Sequence, residues 1–313
     1  MRGVGSMSLM SMFRGPGATG FGYGSTAEDV TKGLSLAGKT ILITGCNSGL
    51  GLEAMRVLAS RGTEVVGTAR TKAKADDAAR SVGGKATGLA CELADPSSVR
   101  ACVAAIGQAG YRFDAIIANA GIMALPKLEK AFGYELQFFT NHIGHFMLVT
   151  GLLGSLAPDG RVVMLSSAAH QAAPSGGIAF DNLDGAKGYS PWTFYGQSKM
   201  ANLLFAKELA RRFKGSKQTA YAVHPGVIRT NLSRNMNPVM QGLFNSIGGL
   251  FTKTIAEGAA TETFCAANPA AIPFTGEYLA DCNVAKCRAE GNDPALAKKL
   301  WERSEAIVAG LPA

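Results

Sequence analysis

Tyr195 and Lys199 stand four residues apart in the run Tyr195-Gly196-Gln197-Ser198-Lys199, at the start of a long helical pattern. On a helix that spacing puts both side chains on one face. A free phenol has a pKa of about 10, so near neutrality about one in a thousand is ionised. A lysine cation one turn away favours the phenolate, and opposite charges at close range move a pKa by about 1–3 units. The pair is therefore expected to make a phenol that takes or gives a proton near physiological pH. The same spacing is ordinary on amphipathic helices, so the elements upstream decide what the pair is for.

Those elements alternate. Strands are expected over 39–44, 63–69, 86–91, 114–118, 161–166 and 218–223, and a stretch over 276–279 could close the sheet. Helices are expected over 49–61, 97–107, 134–156 and 194–213, the second introduced by Asp95-Pro96 and the third ended by Pro158-Asp159-Gly160. Short apolar strands alternating with helices predict an α/β fold: one doubly wound, Rossmann-type parallel sheet with helices on both faces. Order is expected to begin near Leu34, which makes residues 1–36 a flexible extension and 37–313 the single catalytic domain.

The first strand runs straight into Gly45-Cys46-Asn47-Ser48-Gly49-Leu50-Gly51. Gly45 allows a sharp turn, while Gly49 and Gly51 let backbone approach a diphosphate at a helix N-terminus. The spacing is G-x3-G-x-G, and its place between strand and helix is what makes it a binding turn. Arg70 closes the second strand about 20 residues on, followed by Thr71-Lys72-Ala73-Lys74 and no acid. An acid there would bond a ribose 2′-hydroxyl, whereas an arginine accommodates a 2′-phosphate, so the expected cofactor is NADP(H) rather than NAD.

Composition narrows the alternatives. With 313 residues, 47% of them apolar, the chain can bury a large core. The net charge of +8 raises the question of nucleic acid, but its densest cluster, Arg211, Arg212, Lys214 and Lys217, falls where cations complement a helix C-terminus. No nucleic-acid partner is expected. Cys46, Cys91, Cys102, Cys265, Cys282 and Cys287 form no repeated pair and read as free thiols in a reducing compartment. His142 and His145 have no acidic or thiol neighbour, and no metal is expected. No apolar run reaches the roughly 18 residues of a membrane span, and the first 27 residues lack a secretory core. A cytoplasmic location is expected, with organelle targeting, peripheral membrane contact and homo-oligomers left open.

Taken together, Thr44-Gly-x3-Gly-x-Gly, Asn119-Ala120-Gly121, Ser166-Ser167, Y-G-Q-S-K and His224-Pro225-Gly226 occur in one order. Over roughly residues 37–312 the chain resembles the short-chain dehydrogenase/reductases. T-N-H-I-G-H-F at 140–146, S-S-A-A-H at 166–170 and L-W-E-R-S-E at 300–305 resemble the retinol-dehydrogenase-like branch. T-N-H-I-G-H-F is also similar to light-dependent protochlorophyllide reductase. The resemblance implies that Tyr195 is the general acid/base and that Lys199 lowers its pKa and holds the nicotinamide ribose. It implies that Ser167, in preference to Ser166, bonds the substrate oxygen, and that Asn141 anchors a water linking the lysine to solvent. It further places the 45–51 turn (Gly45, Asn47, Ser48, Gly49, Leu50, Gly51) and Arg70 on the cofactor phosphates, and Glu92 and Leu93 near adenine. Asn119, Ala120 and Gly121 fall against the adenosine ribose, and Pro225, Gly226, Ile228 and Thr230 beside the nicotinamide. Two positions depart from the family pattern: Glu92 stands for an aspartate and Ala118 for an asparagine.

Between 231 and 257 the chain carries Met236, Val239, Met240, Leu243, Phe244, Ile247, Leu250 and Phe251. In the family this segment covers the substrate, and its apolar content points to a retinoid, steroid or fatty aldehyde. A core-packing, dimer or membrane-resting role fits the same stripe. Trp192 either lines that cleft or packs. The competing readings are a light-dependent pigment reductase and a non-catalytic NADPH-sensing module.

Overall fold

The computed structural model describes residues 15–228 and 252–312. Its frame is an eight-stranded sheet. Thr40–Thr44 (β1), Glu64–Ala69 (β2), Ala86–Ala90 (β3) and Phe113–Ala118 (β4) form one half. Lys130–Ala131 (β5) and Tyr134–Glu135 (β6) make a separate small hairpin, and Leu156–Leu165 (β7), Thr219–His224 (β8), Tyr278–Ala280 (β9) and Asn283–Val284 (β10) complete the large sheet. The order is β10-β9-β8-β7-β4-β1-β2-β3, parallel throughout except for the antiparallel edge pair β9–β10. This is the doubly wound α/β arrangement expected from the alternation, and the order reverses between β1 and β4.

Strand alternation builds two cores. Leu42, Ile116, Val162, Met164 and Ala222 face one cluster, while Ile41, Ile43, Ile117, Val163 and Val223 face the other. Each fully buried Leu, Ile or Val contributes about 1.5–3 kcal/mol to holding helices on the two faces of the sheet. Gly49–Ser60 (α2, following the short helix Ala27–Val30, α1) and Lys72–Val82 (α3) lie over the second cluster. Pro96–Gln108 (α4), Leu136–Phe138 (α5), Gly144–Leu152 (α6) and Pro191–Arg212 (α7) lie over the first. Helix α3, N-capped by Thr71, occupies a stretch where the sequence reading placed no element.

Two expectations need correcting. The single helix expected over 134–156 is instead strand β6, α5, a π-helical turn over Phe139–Ile143, α6 and a 3-10 turn, with strand β7 already under way at Leu156. Residues 15–36 do not form a flexible extension. Ala27, Val30 and Leu36 are buried in the second core, the Phe21 ring meets Phe264 at 5.6 Å, and Asn268 and Asn283 donate to the Val30 and Phe21 carbonyls at 2.8 and 2.9 Å. Their apolar residues are too few and too irregular to show a helical period, yet enough to pack against the helix Ala260–Ala267 and α2. The basic cluster does complement a helix C-terminus as expected: Arg211 and Arg212 stand in the last turn of α7, where both also meet the buried Glu208, and Arg212 lies 3.8 Å from the Trp301 ring centre.

Candidate active site

The motifs converge at the C-terminal ends of β1, β4, β7 and β8. Helix α7 begins with Pro191, whose missing N–H costs nothing in a first turn, and buries most of its first five turns. Tyr195 and Lys199 therefore sit inside the protein, at 5% and 4% exposure, rather than on a solvated face. The Lys199 ammonium lies 5.7 Å from the Tyr195 ring centre and donates to the Leu165 carbonyl at 3.1 Å, which Asn202 Nδ2 also donates to at 2.9 Å.

This geometry changes the electrostatics expected from spacing alone. Burial pushes the Tyr195 phenol up to about 12, against a smaller downward pull from its hydrogen bond to Ser167. Burial likewise lowers the Lys199 ammonium to about 8. Desolvation is the larger of the two influences on Tyr195, and a phenol at about 12 keeps its proton at neutral pH.

The two serines after β7 differ in their hydrogen bonds. Ser166 is buried and donates to the Lys199 carbonyl at 2.8 Å, so its hydroxyl is committed to helix α7. Ser167 accepts from the Ala169 N–H at 3.1 Å and reaches Tyr195. Asn141 stands in the π-helical turn, from which its side chain reaches Ile122 in the loop after β4. Its Oδ1 accepts from the Ile122 N–H at 2.8 Å, and its Nδ2 donates to the Ile122 carbonyl and to Ser198 Oγ, each at 2.9 Å. Ser198 passes the link on to the Tyr195 carbonyl at 2.8 Å. A Cβ added to Gly121 would lie 3.1 Å from Asn141 Oδ1 and 3.5 Å from Lys199 Nζ, so Gly121 closes the same cluster.

The glycine turn meets the cluster through a residue the sequence reading set aside. His145 Nδ1 donates to the Asn141 carbonyl at 2.9 Å, which leaves Nε2 to accept from the Thr44 hydroxyl at 2.8 Å. Thr44 Oγ1 in turn accepts from the Ala120 N–H at 2.9 Å, and Asn119 Nδ2 donates to the Thr44 carbonyl at 2.7 Å. Burial lowers His145 to about 4, so it is a neutral bridge. The signal was present as the i,i+4 spacing of Asn141 and His145, but its partner Thr44 lies about a hundred residues away.

The turn itself fits a dinucleotide diphosphate. Gly45 and Gly49 have φ of +71° and +59°. A Cβ at Gly51 would lie 2.5 Å from both Asn119 Nδ2 and the Gly45 carbonyl. Ser48, at the N-cap of α2, makes no side-chain cap bond, so the first N–H groups of a twelve-residue helix stay available beside Asn47 and Leu50. Arg70 is exposed just past β2. Glu92 accepts from the Ala94 N–H at 3.2 Å, and Leu93 is buried against Gly144. Pro225, Gly226 and Ile228 follow β8, whereas Thr230 and residues 231–251 of the apolar segment lie outside the described residues. A hollow of about 280 Å³ bounded by Pro174, Tyr189, Phe194 and Gln197 contains none of these groups.

A model of the short chain dehydrogenases matches residues 39–241. The chain belongs to this family. This short-chain dehydrogenase is 37% identical to short-chain dehydrogenase TIC 32 A, chloroplastic, of Brassica napus over 98% of this chain and 100% of the relative. It is 37% identical to human retinol dehydrogenase 14 over 87% and 86% of the two chains, which agrees with the retinol-dehydrogenase-like motifs. Among solved structures, an uncharacterised protein from Mycobacterium paratuberculosis matches with a TM-score of 0.73 and 32% identity over 90% of this chain and 97% of that one. A short chain dehydrogenase from Burkholderia cenocepacia in complex with NADP shares the fold, at a TM-score of 0.63 and 22% identity over 79% and 97%. The dehydrogenase is thus an oxidoreductase with a nucleotide-binding Rossmann fold. Among its described residues no helix is long and apolar enough to cross a membrane, and no group of His, Cys, Asp or Glu is arranged for a metal.

Proposed function

We propose that this short-chain dehydrogenase is NADP(H)-dependent and interconverts a carbonyl and an alcohol on a lipophilic substrate of retinoid, steroid or fatty-aldehyde type. The observation that carries the reading is the convergence of Tyr195, Ser167, Lys199 and Asn141 beside a glycine cradle that fits a diphosphate. The bound nicotinamide supplies the hydride for reduction and accepts it for oxidation. In the reductive direction Tyr195 gives its phenolic proton to the carbonyl oxygen, and a phenol at about 12 carries that proton at neutral pH. Ser167 hydrogen-bonds the same oxygen as charge develops on it. Lys199, at about 8, is largely cationic at neutrality and holds the nicotinamide ribose, while Asn141 anchors a water that returns protons towards it. Arg70 meets the 2′-phosphate. The names of the retinol dehydrogenase relatives support the lipophilic substrate.

The test is NADPH oxidation in the dark against lipophilic aldehydes and ketones, retinal included, beside Tyr195→Phe. The variant should lose roughly 10²–10⁴ in turnover while still binding NADPH. Tight NADPH binding without turnover on any carbonyl would instead favour the sensing module, and turnover only under light the pigment reductase.

A further inference from the structure

Lys253 belongs to none of the motifs that mark the site, yet its side chain is wholly enclosed. Its ammonium lies 2.6 Å from Asp281 Oδ1 and 4.9 Å from the centre of the Tyr23 ring. It makes no directed hydrogen bond among the described residues, so carboxylate and ring face together answer its charge. The aliphatic stem runs along Gly226, where an added Cβ would come 2.7 Å from Lys253 Cδ. The backbone does the same work from the other side: Lys253 N–H donates to the Val227 carbonyl at 2.9 Å, and Lys253 pairs with Ile228 in a parallel bridge. Asp281 holds its end of the ion pair with φ of +52°, a region that non-glycine residues seldom occupy. One side chain thus joins three parts distant in sequence: the turn 225–228, the sheet edge after β9, and the N-terminal segment through Tyr23.

We infer that Lys253 is a positioning residue that sets the backbone of the 225–228 turn, and that Tyr23 makes the N-terminal segment part of the catalytic unit. The inference rests on the proposed reading that this turn flanks the nicotinamide. A buried ion pair is weak evidence of net stabilisation, because desolvating two charges offsets much of their attraction. What the pair does supply is a fixed direction for the Lys253 stem. Gly226, at φ of +94°, has no side chain of its own to hold it. A turn free to shift by an ångström would present its backbone to the nicotinamide in the wrong place, and losing one or two hydrogen bonds to the ligand weakens binding by roughly 10- to 100-fold.

The deciding measurement is NADPH affinity by fluorescence titration, with KM for NADPH and kcat measured separately, in the parent and its variants, all checked for folding by thermal melting. Lys253→Met combined with Asp281→Asn removes both charges without orphaning either. It should raise the NADPH dissociation constant and KM by roughly 10- to 100-fold. Lys253→Arg should recover part of that loss. Tyr23→Leu, which removes the ring face, should weaken NADPH in the same direction by a smaller factor. A folded double variant with parental affinity and KM would overturn the inference. Should the double variant not fold, parental NADPH affinity in Tyr23→Leu would overturn it equally. A parent protein that neither binds nor oxidises NADPH would remove the proposed function itself, and this inference with it.

Discussion

At the scale of single residues, the same two side chains tell different stories in one dimension and in three. Four-residue spacing predicts that Lys199 draws a proton from Tyr195, but Lys199 Nζ is directed at the Leu165 carbonyl and burial raises the phenol. Tyr195 therefore holds its proton at neutral pH, with the Ser167 hydrogen bond pulling its pKa in the opposite direction. Arg70 presents the opposite case, an exposed side chain whose task would be set by ligand charge alone. Hydrogen bonds to charged groups contribute about 1.5–3 kcal/mol, so Arg70→Ala should weaken NADPH by roughly 10- to 100-fold and leave NADH nearly unchanged. The ratio of kcat/KM for the two cofactors reads this directly. An equal loss for both would remove Arg70 from the 2′-phosphate.

At the scale of elements, the site depends on backbones brought closer than a side chain permits. The start of α2 lies against β4 because Gly51 leaves room for Asn119, which in turn ties its Nδ2 to the Thr44 carbonyl. Gly51→Ala would drive a methyl to 2.5 Å of the Gly45 carbonyl, and backbone cannot yield there as a flexible side chain would. We expect that variant to fold with a lowered melting temperature and to lose NADPH binding by ten-fold or more, both read in a melting curve run with and without NADPH. A variant that NADPH stabilises as much as the parent would show that the cradle is not the diphosphate site. The π-helical turn is the second device of this kind. It spends one extra residue to aim Asn141 at Ile122 and Ser198 at once, and His145 locks it to Thr44.

At the scale of the whole molecule, the helix Ala260–Ala267 carries a carboxyl with no partner. Glu262 is 1% exposed, neither oxygen has a hydrogen bond among the described residues, and burial raises it to about 8. A carboxyl whose pKa is raised on folding binds its proton more tightly in the native state. Its contribution is complete below the unfolded value, near 4.5, and is lost as pH rises towards 8. His142, His145 and His224, lowered by burial to about 3, 4 and 4, act in the reverse sense and only below their ordinary value of 6.5. Lys199 begins to contribute only above about 8. Between pH 6.5 and 8 the Glu262 effect is therefore exposed, with a slope of roughly 1.4 kcal/mol lost per pH unit. Denaturant unfolding across that window should show the decline in the parent and a nearly flat profile in Glu262→Gln. An unchanged slope would mean that Glu262 is hydrated or paired in solution.

Local sequence determined a good deal of this protein. The alternation of short apolar strands with helices is enough to specify a parallel sheet, since each crossover must return the chain to the same edge direction. The glycine turn, Arg70 and the Tyr195–Lys199 run were legible because each acts within one strand-turn-helix step or one helical turn. Tertiary structure alone decided what burial and distant partners control. It set the protonation of Tyr195 and Lys199, the bridge from Thr44 through His145 to Asn141, and the break in the expected 134–156 helix. It also decided that residues 15–36 pack on the core and bring Tyr23 over Lys253. Desolvation and side-chain pairing depend on which surfaces meet, and residues 23 and 253, or 44 and 145, meet only after the chain has folded.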